Sequence, residues 1–173
     1  DIVLSLPVSA RTTVKLRRSG GMVSNVVPIR VGVDPADTAP DITSRVQLEL
    51  TGALRHQRYR HEDMRRDTGK GGADRGFFGP AVNIMMFGTE IRLGDLVGRL
   101  HVVSTGPVED LSLNIYPSKP GDPAHIDLEA NPTLYSIDEL RSHHNRFIEF
   151  LADFAECDGS VGALDVLHED ERD

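Results

Sequence analysis

Residues 19–33 read SGGMVSNVVPIRVGV. After a glycine pair, Val23, Asn25, Val27, Ile29, Val31 and Val33 fall on alternate positions. Side chains two apart stand on the same side of a strand, so the spacing predicts a strand over residues 22–33 with one buried row. Asn25 sits inside that aliphatic row. A buried amide must find hydrogen-bond partners, so its neighbours matter as much as the strand itself.

Outward from this stretch, the same periodicity predicts strands over residues 2–8, 81–87, 97–104, 110–116 and 125–130. In the last two, Leu111, Leu113 and Ile115, then Ile126, Leu128 and Ala130, alternate with polar residues. The turn formers PSKPGDPA, residues 117–124, lie between them. The pair reads as an antiparallel hairpin with one wet face. Ile42, Val46, Leu50 and Leu54 recur every four residues after Pro40, predicting a helix over residues 40–56. A second helix starts at Ser136, which forms a capping box with Glu139, flanked by Tyr135 and Leu140 as a staple. Leu140, Phe147, Leu151 and Phe154 supply its apolar stripe. Mixed strands and helices, with adjacent strands joined by hairpins, give the fold class α/β (α+β).

The chain has 173 residues and is 39% hydrophobic, enough for one core of ordinary size. Its net charge of −8 disfavours nonspecific binding to nucleic acid or to an anionic membrane. No apolar run approaches the roughly 20 residues of a membrane span. These features make a cytoplasmic protein the default expectation. The single cysteine, Cys157, excludes an intrachain disulfide and any multi-cysteine metal site, and the acids Glu156 and Asp158 beside it are poor surroundings for a nucleophile. The chain opens on Asp1 in strand-like alternation without an initiator Met, as if cut from something longer. It closes on HEDERD, a charged tail suited to a linker.

No self-sufficient catalytic constellation is found in the sequence. Gly-x-Ser-x-Gly is absent. His143 and His144 point about 100° apart on a helix, and His144 falls on the apolar stripe. Arg55, Arg58 and Arg60 surround His56 and His61 and would repel a metal ion. The carboxylates Glu109, Asp110, Asp127 and Glu129 belong to the polar side of the hairpin. The segment DTGKGGADRGFFG, residues 67–79, resembles a phosphate-binding loop only superficially. Glycine follows Lys70 where Ser or Thr is needed, and Met64 stands where the first glycine belongs. One charged cluster stands out in this acidic chain: Arg55, Arg58, Arg60, Arg65 and Arg66, within RHQRYRHEDMRR. The simpler reading is a surface helix end, where cations suit the dipole. The functional alternative is a dock for an acidic or phosphate-bearing partner.

Several stretches together resemble the C-terminal lobe of a nonribosomal peptide synthetase condensation domain. The family signature Gly-x-Phe-Val-Asn-Thr, two residues, then Leu-Arg is matched by Gly21, Asn25 and Arg30, with the usual proline at Pro28. Val23, Ser24, Val26 and Ile29 depart from it. His-Gln-Asp-x-Pro-Phe-Glu is similar to residues 56–62, with His56, Gln57 and Glu62 matching and Arg58, Arg60 and His61 departing. Pro80-Ala81-Val82-Asn83-Ile84-Met85-Met86 loosely echoes Pro-Leu-Phe-Gln-Val-Met-Phe. Upstream, Pro7-Val8-Ser9-Ala10-Arg11 looks like the strand end preceding the first motif.

The resemblance implies one lobe of a chloramphenicol acetyltransferase-like fold, a mixed sheet with packed helices and a long protruding hairpin, over residues 1–157, with residues 158–173 a linker toward a following domain. It implies a tunnel between two lobes, entered by phosphopantetheine arms of donor and acceptor carrier proteins, and no cofactor bound directly. The implied partners are the N-terminal lobe of the same domain, those carrier proteins and an adjacent adenylation domain, with no nucleic acid and no membrane. The catalytic motif His-His-x-x-x-Asp-Gly is absent from this chain, so no catalytic or metal-ligating residue is assigned to it. Asn25, Arg30 and Ser24 become the expected tunnel residues, and Arg55, Arg58, Arg60, Arg65 and Arg66 the carrier dock. Asn25 either faces the tunnel or bonds only neighbouring backbone at a strand bend. A degenerate lobe that recruits a partner without chemistry is the alternative, favoured by the breaks at Arg58, Arg60 and His61. An epimerisation domain shares the fold but not the condensation form of the Asn25 motif. Removed from its partner lobe, the isolated fragment is expected to expose strand edge and self-associate.

Overall fold

The computed structural model describes residues 1–69, 78–85, 90–99, 105–117 and 123–167. In chain order the elements are β1 (Ile2–Val8), α1 (Val14–Arg18), β2 (Asn25–Val31), α2 (Ala39–Arg55), α3 (His61–Asp67), β3 (Ala81–Ile84), β4 (Glu90–Leu93), β5 (Leu96–Arg99), β6 (Leu111–Tyr116), β7 (His125–Ala130) and α4 (Ile137–Glu156). Five strands form one sheet in the order β2-β1-β3-β6-β7. The outer pairs β1–β2 and β6–β7 are antiparallel, while β1–β3 and β3–β6 are parallel. The sheet is therefore mixed. The hairpin β4–β5 forms a separate two-stranded unit.

Register assigns the two sides of the sheet. On one side lie Val27, Ile29 and Val31 of β2, buried where α2 packs on that strand. Arg30, between them in sequence, is exposed on the other side. That second side is small and polar in its centre. Ser5 pairs with Pro28 and with Ala81, and Ala81 with Ser112. Ser5 is fully buried, donating its backbone N–H to Pro80 O at 2.9 Å and accepting the Phe78 N–H on Oγ at 3.1 Å. The chain passes so close there that a Cβ on Gly79 would lie 2.1 Å from Val3 O.

The hairpin read over residues 110–130 forms, but its wet face does not. Asn114 and Tyr116, on the polar row, are 2% and 6% exposed, whereas Leu111, Leu113 and Ile115 are only half-buried. Asn114 can be buried because its side-chain amide is satisfied on both atoms. Asn83 Nδ2 donates to Asn114 Oδ1 at 3.2 Å, and Asn114 Nδ2 donates to Glu129 Oε2 at 3.2 Å. Burial pushes the Tyr116 phenol pKa up, with the carboxylates of Asp127 and Glu129 adding to the shift.

Other boundaries move for local reasons. The strand expected over residues 22–33 is limited to Asn25–Val31, because Gly21 turns at φ 90° and Val33 lies beyond the ladder. Helix α2 starts one residue earlier than Pro40, since Thr38 and Asp41 form a capping box in which aspartate replaces the usual glutamate. The Ser136–Glu139 box forms as read. The strand expected over 81–87 spans Ala81–Ile84, and residues 86–87 lie outside the described residues. That over 97–104 is Leu96–Arg99, paired with a strand the periodicity did not reveal, and 100–104 lie outside as well. So do 70–77 of the glycine-rich segment, 118–122 of the hairpin turn and 168–173 of the charged tail. After α4 the chain returns to the start of α2. Ser160 bridges Thr38, Val161 N–H donates to Asp37 O and Gly162 N–H to Pro35 O, both at 2.8 Å.

Candidate functional site

Asn25 opens β2 and joins two distant stretches of chain. Its Nδ2 donates to Gln57 O at 2.9 Å and to Tyr59 O at 2.7 Å, and its Oδ1 accepts the His61 N–H at 3.0 Å. Both amide hydrogens are thus committed to the connector between α2 and α3. That connector has no ladder or helix of its own to satisfy its carbonyls, so one side chain holds it. Neighbouring backbone at a strand bend is not what Asn25 bonds; its partners are 32 to 36 residues away. The Tyr59 phenol donates to Asp67 at the end of α3, and that bond pushes its pKa up. His61 sets its ring edge-on to Phe78, centroids 5.2 Å apart.

A cavity of about 240 Å³ opens where the two motifs meet. Val23, Ser24 and Asn25 line it from the first motif, and Gln57, Arg58, Arg60 and Glu62 from the second. Ala10 and Leu16 close it from the end of β1 and from α1. Ala10 is buried at φ 51°, a left-handed conformation that costs a residue with a Cβ about 1 kcal/mol or more. The β1–β2 loop is laced by Arg11, whose guanidinium donates to Ser19 O at 2.9 Å and Gly21 O at 2.7 Å and also to Leu16 O. Thr13 caps α1, its Oγ1 accepting the Leu16 N–H at 3.2 Å.

The structure separates the residues expected to act together. Ser24 and Asn25 line the cavity, but Arg30 projects from the opposite side of the sheet and pairs with Asp1, Nε to Oδ2 at 3.0 Å. Period two explains this: residues 25 and 30 differ by an odd number and must diverge. Of the arginine run, Arg58 and Arg60 reach the cavity and Arg55 ends α2. Arg65 and Arg66 lie on α3, where Arg66 pairs with Asp63 at 2.7 Å. Neither α1 nor the lining role of Ala10 is legible in the sequence, although Pro7–Arg11 matches the strand end before the first motif. A positive φ at an alanine leaves no trace in composition. Among the described residues, no three His, Cys, Asp or Glu side chains converge as a metal site, and no helix is long and apolar enough to cross a membrane.

The mixed sheet carrying helices is a chloramphenicol acetyltransferase-like fold, which the solved condensation domains share. The condensation domain family model matches residues 1–173, and the chain belongs to that family. It is 33% identical over 174 residues to a dimodular nonribosomal peptide synthase of Bacillus subtilis, covering 100% of this chain and 7% of the relative. It is 38% identical over 165 residues to an isonitrile lipopeptide synthase of Streptomyces coeruleorubidus, covering 95% and 11%. Among solved structures, a variant starter condensation domain of rhizomide synthetase in complex with C8-CoA superposes with a TM-score of 0.89 at 33% identity, covering 97% of this chain and 39% of that one. The first condensation domain of the calcium-dependent antibiotic synthetase, in complex with a substrate analogue, gives 0.84 at 33%, covering 96% and 37%.

Proposed function

We propose that the chain is the C-terminal lobe of a condensation domain that forms an amide bond in nonribosomal peptide synthesis. The observation that carries this reading is coverage: nearly the whole chain matches about two fifths of the solved condensation domain chains, 37% and 39% in two of them. The lobe is residues 1–157, and residues 158–173 lead toward an adenylation domain. The other lobe brings His-His-x-x-x-Asp-Gly, and a donor and an acceptor carrier protein bring their phosphopantetheine arms from opposite sides. The acceptor amine attacks the donor thioester carbonyl, the C–N bond forms as the C–S bond breaks, and the thiol leaves with the proton. The sequence of this chain lacks that motif, and the chain is silent alone. Its part is to wall the tunnel and receive a carrier. Asn25 acts by holding the connector, Ser24 and Arg30 face substrate-bearing surfaces, and Arg55, Arg58, Arg60, Arg65 and Arg66 dock the carrier.

The test is an amide-forming assay with aminoacyl-loaded donor and acceptor carriers, with the chain alone and joined to its other lobe. Product only from the joined form is the expected result. Carrier binding without product, with the other lobe folded and its histidine motif intact, would establish a recruiting module instead. Among the described residues β2 and β7 end the sheet, and the isolated chain self-associates through such an edge. Light scattering that finds only monomer at high concentration would refute that part.

A further inference from the structure

We infer that α1 is the second half of the carrier dock: Lys15, Arg17 and Arg18, with Arg58 and Arg60, form one basic rim for the phosphate-bearing, acidic face of a carrier protein. This rests on the condensation reading above and goes beyond it, since the sequence motif confined the dock to residues 55–66. Three observations carry it. The first is matching of charge. Arg30, Arg45, Arg66 and Arg141 each pair with an aspartate. Among the described residues, Lys15, Arg17, Arg18, Arg55, Arg58 and Arg60 pair with no acid. The chain carries 27 acidic residues against 19 Lys and Arg, so unmatched cations gathered in one place are not what its composition predicts.

The second is placement. Residues 11–18 hold four cations and no acid, and residues 55–60 hold three and no acid. These stretches lie far apart in sequence, yet both line the same cavity, through Leu16 on α1 and through Arg58 and Arg60 on the connector. The third is order. Neither stretch belongs to the sheet, and each is fixed by a dedicated side chain. Arg11 bonds three carbonyls of the α1 loop, and Asn25 bonds two carbonyls and one N–H of the connector. Holding cations at fixed positions lowers the ordering cost of docking. At about 240 Å³ the cavity is smaller than a site for a whole cofactor, and its size suits an anionic group presented by a larger partner. Glu62 is its one lining acid.

The test measures association of holo-carrier protein with the full condensation domain by stopped-flow fluorescence at several salt concentrations. Lys15→Glu with Arg18→Glu is expected to slow association about tenfold at low salt and to flatten its salt dependence, because rim charges act mainly on the on-rate. Arg58→Glu with Arg60→Glu is expected to do the same, and Arg141→Glu on α4 to change the rate less than twofold. Thermal unfolding of each variant checks that the exposed reversals leave the fold intact. If the α1 pair stays within twofold of the parent while the Arg58 pair slows association, α1 is not part of the dock. If neither pair changes association, the rim is not the dock at all, although amide formation in the same preparations would leave the condensation reading standing. If no carrier associates and no amide forms, both fail.

Discussion

Replacing Asn25 with alanine removes three hydrogen bonds at once. Each is worth about 1 kcal/mol net, and they hold the Gln57 and Tyr59 carbonyls and the His61 N–H. The connector is partly exposed, so water regains some of these groups, and the expected loss lies at about 2–3 kcal/mol rather than above it. With a urea slope of about 2 kcal/mol per molar, the unfolding midpoint of the full chain should fall by roughly 1 M. Amide hydrogen exchange localises the effect. The His61 amide should lose protection beyond the global loss, while the β1–β2 ladder should lose only the global amount. Asn25→Asp is a sharper variant. It keeps an acceptor for His61 but sets oxygen against two carbonyls, so it should destabilise at least as much as alanine. A midpoint shift under about 0.3 M for alanine, with His61 protection unchanged, would refute the account of Asn25 as the clasp between the motifs.

Ala10→Val should lower stability clearly in urea unfolding, whereas Ala10→Gly should change it by less than about 1 kcal/mol, because relief of the φ 51° strain is offset by lost methyl burial and the added freedom of the unfolded chain. Gly79→Ala should cost about 1–3 kcal/mol or more, since its Cβ would meet the Val3 carbonyl at 2.1 Å; an unchanged midpoint would contradict the close approach. Asp37 is held down to about 2 from 3.8, first by its side-chain bond with Arg45. A lowered folded-state pKa stabilises above the unfolded value and is lost as pH falls through the folded one, so this contribution should disappear between about pH 4 and pH 2. Asp37→Asn should flatten that limb of the stability profile measured from pH 5 to 2.

The parts of the fold that follow from local chemistry are legible in the amino-acid order. The alternation over Val27, Ile29 and Val31 made β2 legible, and the reciprocal Ser136–Glu139 bonds placed the start of α4, because period and capping act within a few residues. The fourfold apolar spacing located α2, although its Thr38–Asp41 box went unrecognised with aspartate in the glutamate position. Helices α1 and α3, at five and seven residues, left no signal. Pieces that short do not nucleate on their own and exist because tertiary contacts hold them. Which side of the β6–β7 hairpin is buried depends on long-range packing, since Asn83, Asn114 and Glu129 satisfy each other only once three strands are aligned. Tertiary structure alone brought Ala10, Leu16, Ser24, Arg58 and Arg60 around one cavity and sent Arg30 to the opposite side of the sheet. Motif spacing says which residues belong together in a family, but the strand pleat and one asparagine, bonded across more than thirty residues, set which of them meet.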